Sequence, residues 1–293
     1  MIIDLHSHST RSDGKESPTE VFSHAATASV DVLALTDHDT ADGWAEAREA
    51  AARASIGFIP GIEVTTRAEV TRGDKRQYIS VHMLAYLPDP ANHELATALS
   101  RNVNTRELRA QRMVELLADD YEISWDSVLA ELAHGATIGR PAIADALVSA
   151  GYFTDRSEVF NGPLSRHSKY YVPTETLDVI RAIHLIRAAG GVPIIAHPLG
   201  GAPESMSRDD LPEEHFEKLI EAGMAGFEVE HREVPKVARD WLRMLAAKHD
   251  LITTGASDYH GLEGKPNRLG ENSTSKEMLQ RILAQASGVE PSL

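Results

Sequence analysis

The sequence predicts an α/β fold: a distorted barrel of strands and helices with seven strands rather than eight, interrupted by a helical subdomain. Three observations carry that expectation. Seven short runs are rich in Val and Ile and apolar almost throughout, the composition of strands buried on both faces. Helical patterns with clear start signals separate most of them. Polar residues of metal-ligating type recur at the run ends, and in a parallel barrel those C-terminal ends share one mouth, where active sites form.

The strand runs are residues 2–5, 32–36, 57–64, 79–86, 192–196, 226–230 and 251–255. Between the first two, Ser17-Pro18-Thr19-Glu20 is a capping box with Pro at the first helical position, leading into a helix to residue 29. An Ala- and Glu-rich helix is expected over 41–54. The charged stretch 66–77 reads as a loop or hairpin. A helix over 176–189 carries Leu177, Ile180, Ile183, Leu185 and Ile186 and ends at Gly190-Gly191, a C-cap signal. Further helices are expected over 213–222, after Pro212, over 236–249, after Pro235, and over 276–286.

Residues 100–174 break the alternation. Helical patterns over 101–118, 125–133 and 141–150 follow one another without a strand between them. This divides the chain into a discontinuous barrel, 1–99 and 175–293, and a helical insertion, 100–174, placed to recognise a substrate. The insertion has 8 Lys/Arg and 10 Asp/Glu, so it is less acidic than the rest of the chain.

The chain carries 29 Lys+Arg against 44 Asp+Glu, a formal net charge of −15. That field opposes a protein that coats duplex nucleic acid, yet it does not exclude a small anion held at metals. No apolar run approaches the roughly 18 residues of a membrane span. The start pairs no basic segment with a long apolar stretch, so a cleaved signal is not expected. Cysteine is absent, which removes disulfides and thiolate zinc sites and suits a cytoplasmic protein. Any metal must then be held by His and carboxylate.

Those residues cluster at strand ends. His6, His8 and Asp13 follow the first run, and the pair in His6-Ser7-His8 points to one side of an extended segment. Thr36-Asp37-His38-Asp39 follows the second. Glu63 lies in the third and His82 in the fourth. His197 ends the fifth, Glu230-His231 the sixth, and Ser257-Asp258-Tyr259-His260 the seventh. Each has a plain alternative: His82 a core histidine, Asp37 to Asp39 a helix cap, Glu63 a bulge residue. An unpaired buried carboxylate is costly, however, and a cation offsets that cost. Repetition at strand end after strand end points to one metal site.

The segments His6-Ser7-His8-Ser9, Ser12-Asp13-Gly14, Thr36-Asp37-His38-Asp39, Gly61-Ile62-Glu63, Ala196-His197-Pro198 and Ser257-Asp258-Tyr259-His260 resemble the motif blocks of the polymerase and histidinol phosphatase (PHP) superfamily. The resemblance covers roughly residues 1–90 and 175–270. Ile138-Gly139-Arg140-Pro141 and Lys169-Tyr170-Tyr171-Val172-Pro173 resemble a bacterial branch with a helical insertion. That branch includes nucleoside 3′,5′-bisphosphate phosphatases and a 5′→3′ exoribonuclease. The resemblance implies a distorted (β/α)7 barrel with a trinuclear centre, acting through two or three divalent ions. Imidazole and carboxylate ligands suit Mn²⁺, Fe²⁺ or Zn²⁺.

Carried over by matching position, His6, His8, Glu63 and Asp258 hold the first metal. Glu63 bridges to a second, held also by His82 and His197. Asp13, His38 and His260 hold the third. Asp4 and Asp37 orient ligands. No base stands ready to activate Ser7 or Ser9, so catalysis is expected through metal-activated water rather than a serine nucleophile.

For substrate contacts, Arg140 combines a guanidinium fork with a helix start, and both favour phosphate. Lys169 is a second candidate. Tyr170 and Tyr171 could stack on a base, with packing the plainer role. His231 is read as a substrate contact or general acid. The expected activity is hydrolysis of phosphomonoesters of small nucleotides, above all the 3′-phosphate of nucleoside 3′,5′-bisphosphates. Alternatives are 5′→3′ cleavage of short oligonucleotides, histidinol phosphate hydrolysis, and a non-enzymatic metal-binding module. Amidohydrolase-type C–N hydrolysis also uses His-x-His in a barrel, but that family usually brings a metal-bridging Lys where this chain has Glu63.

Overall fold

The computed structural model describes residues 1–72, 75–132, 138–165, 167–173, 176–200 and 213–293. The strands form one mixed sheet in the order β1 (Ile3–Asp4), β2 (Val32–Leu35), β3 (Gly57–Arg72), β4 (Lys75–Tyr86), β6 (Val192–Ile195), β7 (Gly226–Glu230), β8 (Ile252–Gly255), with the short β5 (Leu177–Asp178) beside β3. The sheet curls into a nearly closed, distorted TIM-like barrel. The chain past β8 meets the chain past β1 through a Ser7–Tyr259 bridge, in which the His8 amide donates to the Tyr259 carbonyl at 2.8 Å.

All strands pair in parallel except β4, which runs antiparallel to both β3 and β6. This departs from the parallel expectation. The hairpin alternative for 66–77 is the one the structure shows, with residues 73–74 outside the described set. The reason is covalent: β4 begins so soon after β3 that no helical crossover fits, and a short connection forces an antiparallel pair. Twelve residue pairs tie β3 to β4. Thr66, Ala68 and Val70 are buried on one face of this hairpin, while Thr65, Arg67 and Glu69 alternate onto the other. The charged face is what disguised the strand.

Strand residues alternate between two apolar layers. Ile3, Ala34, Ile59, Tyr86, Ile194 and Ile252 belong to one buried cluster. Leu33, Leu35, Phe58, Ile62, Phe227 and Val229 join the helix faces in another. Helix α1 (Pro18–Thr27) starts at the expected capping box, Ser17 and Glu20 each bonding the other's backbone. Helix α2 is Trp44–Ala54, and α8, α9 and α10 are Glu213–Glu221, Lys236–Lys248 and Lys276–Gln285. Helix α7 (Val179–Ala188) begins later than expected, because Leu177 and Asp178 pair with β3 and the Asp178 side chain then caps the helix.

Helix α3 (His93–Leu117) starts at Asn92, whose side chain accepts from the Leu95 amide, so the boundary drawn at 99/100 falls inside a helix. Its first half packs Leu95, Ala98 and Leu99 into the barrel layer. Its second half packs Ala110, Met113, Val114 and Leu117 into a separate core with Ile143, Leu147, Val159 and Leu164. That second core belongs to α4 (Trp125–Ala130), α5 (Arg140–Ser149) and α6 (Arg156–Asn161), the last not anticipated. Residue 133, the expected end of α4's helix, lies outside the described residues. No helix among the described residues is long and apolar enough to cross a membrane.

Leu147 is fully buried in the second core. Leu147→Ala is expected to cost about 2–5 kcal/mol of local stability. Hydrogen exchange should show amides of α4 to α6 losing protection while those of β2 and β6 keep theirs; uniform loss would contradict two separately cored layers.

Candidate metal centre

The nine sequence-expected ligands meet at the mouth of the barrel. Glu63 is at the middle. Its Oε2 lies 3.1 Å from His6 Nε2 and 3.0 Å from His8 Nε2. Its Oε1 lies 2.8 Å from His82 Nδ1 and 3.1 Å from His197 Nε2. Asp258 Oδ1 stands 3.4 and 3.2 Å from the His6 and His8 Nε2 atoms. Asp13 Oδ1 is 3.3 Å from His260 Nε2 and 3.6 Å from His8 Nδ1. The backbone explains the convergence. His6 and His8 flank Ser7 in the extended segment leaving β1, His38 bridges Glu63 in parallel register, and the antiparallel β4 carries His82 back beside β3.

Three groups have the reach to hold a metal here: His6, His8, Glu63 and Asp258; His8, Asp13 and His260; and His38, Glu63 and His82. The first coincides with the expected set. The other two exchange partners: His38 takes the place expected for His197 beside Glu63 and His82, with Nδ1 3.4 Å from Glu63 Oε2 and Nε2 3.9 Å from Asp13, while His197 faces Glu63 but joins none of the three groups. His38 therefore spans two groups.

The donor set suits cations. His6 Nδ1 faces the Glu228 carboxylate at 2.9 Å, so in the neutral ring it holds the proton there and its Nε2 presents a lone pair. That lone pair faces another imidazole nitrogen at 3.0 Å and two carboxylate oxygens. Burial alone would push Glu63 and Asp258 upward, yet the groups around them, His38 and His6 for Glu63 and Lys265 and His260 for Asp258, hold both well below the usual carboxylate range. Burial also opposes charge on His8, but Asp258 and Glu63 raise it to about 9. The acidic field calls for positive charge, and burial meanwhile keeps His38 and His260 on the neutral side. His38 Nδ1 and His260 Nε2 are buried and make no hydrogen bond among the described residues.

Further carboxylates brace this ring. Asp37 accepts from the Ser9 amide at 2.8 Å and from the Ser9 and Ser12 hydroxyls at 2.7 Å each, fixing the loop that carries His8 and Asp13. Asp4 accepts from the Ser257 and Gly270 amides at 2.9 Å each, tying the Asp258 loop to β1, and burial lifts it to about 6. The Ser7 hydroxyl donates to the Ala34 carbonyl at 2.7 Å and Ser9 donates to Asp37, so both are committed to structure. His197 and Asp258 hold φ of 30° and 54°, a strained setting that costs of order 1–3 kcal/mol each.

Three residues were missed from sequence. Glu228, central in β7 and fully buried, holds His6 and accepts from the His197 amide at 2.7 Å. Its signal was the alternation Phe227, Val229 against Glu228, Glu230, which places both acids on one face. Lys265 reaches Asp258 Oδ2 at 2.7 Å, and that carboxylate raises its pKa in spite of burial. Arg106 pairs with Asp39 and with the Thr65 hydroxyl, a contact between distant segments that no local pattern announces.

The substrate candidates separate. His231 has no exposed surface; its Nε2 stands 3.6 Å from Asp258 Oδ2 and its Nδ1 accepts from the Glu233 amide, which puts it behind the carboxylate. Lys169 is 69% exposed and paired with Asp120 at 2.7 Å, away from the centre. Tyr170 donates to the same Asp120 and packs in the second core. Arg140 instead lines a cleft of about 640 Å³ whose floor includes Asp13, His38 and His82. Arg67, Arg106, Arg109, Arg156 and Lys15 line it too. Arg106 pairs with Asp39, and Arg156 and Lys15 pair with Asp145, which lines the cleft as well. Burial, then Arg140, lowers Arg109 to about 10.

The PHP domain model matches residues 4–284. The chain belongs to the PHP domain family. It is 34% identical over 263 residues to the 3′,5′-nucleoside bisphosphate phosphatase of Chromobacterium violaceum, covering 88% of this chain and 87% of that one. It is 30% identical over 271 residues to the 5′-3′ exoribonuclease Rnm of Salmonella typhimurium, covering 89% and 85%. Among solved structures, a candidate metal-dependent phosphoesterase from Bifidobacterium adolescentis superposes with a TM-score of 0.87 at 40% identity, covering 97% and 96%. This PHP chain is a metal-dependent phosphoesterase, an enzyme that hydrolyses phosphoric esters.

Glu228→Gln would leave one carbonyl oxygen for two donors, His6 Nδ1–H and the His197 amide, and set an NH2 group against one of them. It is expected to lower metal affinity about 10- to 100-fold, read by calorimetric titration, with the circular dichroism spectrum unchanged. Unchanged affinity would remove Glu228 from the centre.

Proposed function

We propose that this PHP chain hydrolyses phosphate esters of small nucleotides, with nucleoside 3′,5′-bisphosphates as the leading substrate. In this reading His6, His8, Asp13, His38, Glu63, His82, His197, Asp258 and His260 hold two or three divalent ions, Mn²⁺, Fe²⁺ or Zn²⁺. Bound there, such ions would neutralise phosphate oxygens and lower the pKa of water toward ~7. Overall, water adds at phosphorus, the P–O3′ bond breaks, and O3′ departs with a proton.

The single observation that supports this reading best is the shared cleft. One cavity joins the carboxylate–imidazole floor to Arg106, Arg109 and Arg140. A substrate with two phosphates fits both ends. Arg140 opens α5 after Gly139, which has no side-chain cap, so its guanidinium and the first α5 amides face one region. Mutual repulsion between Arg109 and Arg140 is relieved by an anion between them. We place the 5′-phosphate there and the 3′-phosphate at the ligand cluster. His231, buried behind Asp258, is assigned to orient that carboxylate rather than to meet the substrate. The second core acts as the substrate-recognition subdomain.

A panel of adenosine 3′,5′-bisphosphate, 3′-AMP, 5′-AMP, histidinol phosphate and short RNA tests the assignment. The bisphosphate should have the highest kcat/KM; equal slow turnover of all would overturn the nucleotide reading. Glu63→Ala and chelation should each abolish phosphate release while the fold survives. Activity retained after metal stripping would sink the mechanism. Arg140→Ala should raise KM for the bisphosphate about 10-fold or more, from loss of a charge-assisted contact, and change KM for 3′-AMP far less.

A further inference from the structure

The cleft carries a second pattern beyond its charge. Three arginines lie over aromatic rings along its walls: Arg67 over Tyr78 at 4.6 Å, Arg109 over Tyr171 at 5.2 Å, and Arg140 over Phe160 at 5.4 Å. Cations interleaved with aromatic faces are the makeup of a surface that tracks a single strand of nucleic acid, the cations meeting phosphates and the rings stacking on bases. A mononucleotide has one base, and two of these pairs already stand beside the arginine end of the cleft.

The Arg67–Tyr78 pair differs from the other two. It sits on the β3–β4 hairpin, which projects past the barrel mouth. Tyr78, Ser80 and His82 share one face of β4 by strand alternation, so Tyr78 lies on the same face as a metal-centre histidine. Four residues of strand separate them, roughly 13 Å at about 3.3 Å per residue. Tyr78 is 57% exposed, so one ring face is open to solvent. Arg67 covers one of its faces, and its hydroxyl donates to Glu69 at 3.2 Å, which holds the ring upright at the cleft edge. Glu69 is itself paired with Arg76 at 3.4 Å, which offsets its charge next to a polyanion.

We infer that Tyr78, backed by Arg67, is the stacking site for the base of a second nucleotide, joined through the phosphate that sits at the metal centre. The inference rests on the nucleotide phosphoesterase reading with its short-oligonucleotide alternative, and adds to it the residue that holds the second base of a 5′-phosphorylated strand. The chemistry is unchanged. Water adds to the bridging phosphorus, the P–O3′ bond breaks, and the first nucleotide leaves with its 3′-hydroxyl protonated. The second nucleotide keeps the phosphate and becomes the next 5′ end. Tyr78 is a specificity residue and takes no part in bond breaking.

The test compares three substrates: adenosine 3′,5′-bisphosphate, the dinucleotide pApA, and the same dinucleotide with an abasic second position. Tyr78→Ala should raise the KM ratio of pApA to the bisphosphate about 10-fold or more, the loss of one stacked base. Tyr78→Phe should restore the wild-type ratio. Calorimetric binding of pApA in the Glu63→Ala background should weaken on adding Tyr78→Ala, with no such change for the abasic dinucleotide. An unchanged ratio, or equal weakening with the abasic substrate, would overturn the stacking site. A wild-type protein that turned over none of the three would overturn the parent reading, and the calorimetry would still decide the stack.

Discussion

Everything at the mouth of this barrel is arranged around one buried carboxylate, Glu63. Its two oxygens face four imidazoles within about 3 Å, a donor set that suits metal ions. Placing an ionised carboxylate and its neighbours in the interior costs several kcal/mol per charge, and the fold must supply compensation from many directions. The imidazoles around Glu63 supply it directly, and further acids hold the segments that carry them. Asp4, Asp37 and Glu228 are all buried and all accept hydrogen bonds that fix the ligand-bearing segments. A hydrophobic barrel with a few polar atoms at its rim has become one whose rim is held by charge.

The irregularities of the fold follow from the same demand. Reversing β4 brings His82 opposite Thr65 in the β3–β4 ladder, with its ring against Glu63. Left-handed backbone at His197 and Asp258 turns those side chains inward at a local cost. The antiparallel hairpin also extends beyond the mouth, and its outer face becomes one wall of the cleft.

Most of the barrel, and the His and carboxylate residues that gather around Glu63, were legible in the sequence, because both are written locally. Most strands are short apolar runs, the candidate ligands stand within or just after them, and the capping boxes and Gly-Gly stop are signals of a few residues. What was not legible is relational. The direction of β4 depended on how short its link to β3 is, and charged residues on one hairpin face masked the strand. Glu228 looked like one acid among two in Gly226–Glu230 until the partners of His6 were known. Lys169 and Arg140 both sit in motif-like segments, yet one pairs with Asp120 on the surface and the other lines the cleft. Linear sequence shows residue type and spacing; it does not show which basic side chain the fold turns toward the cleft and which toward the outer surface.

The metal centre and the arginine wall belong to different layers of the molecule, so something must hold them in register. Asp39 does so. It follows His38 directly, holds φ of 57°, and is buried. Its Oδ1 accepts from the Thr65 amide and from the Asn102 side chain, each at 2.9 Å, while Arg106 pairs with its Oδ2. Asn102 in turn donates to the Thr65 carbonyl and accepts from the Leu177 amide, so β3, α3 and β5 meet at one carboxylate. Because α3 carries Arg106 and Arg109 and runs on into the second core, its position along and around its axis sets how far the arginine wall stands from Glu63. A helix bound only by apolar packing could slide by fractions of an ångström; one bound through directed, buried hydrogen bonds has a much narrower choice. The spacing between the carboxylate–imidazole cluster and the α3 arginines is therefore fixed at the base of α3, next to His38, rather than in the loops that line the cleft.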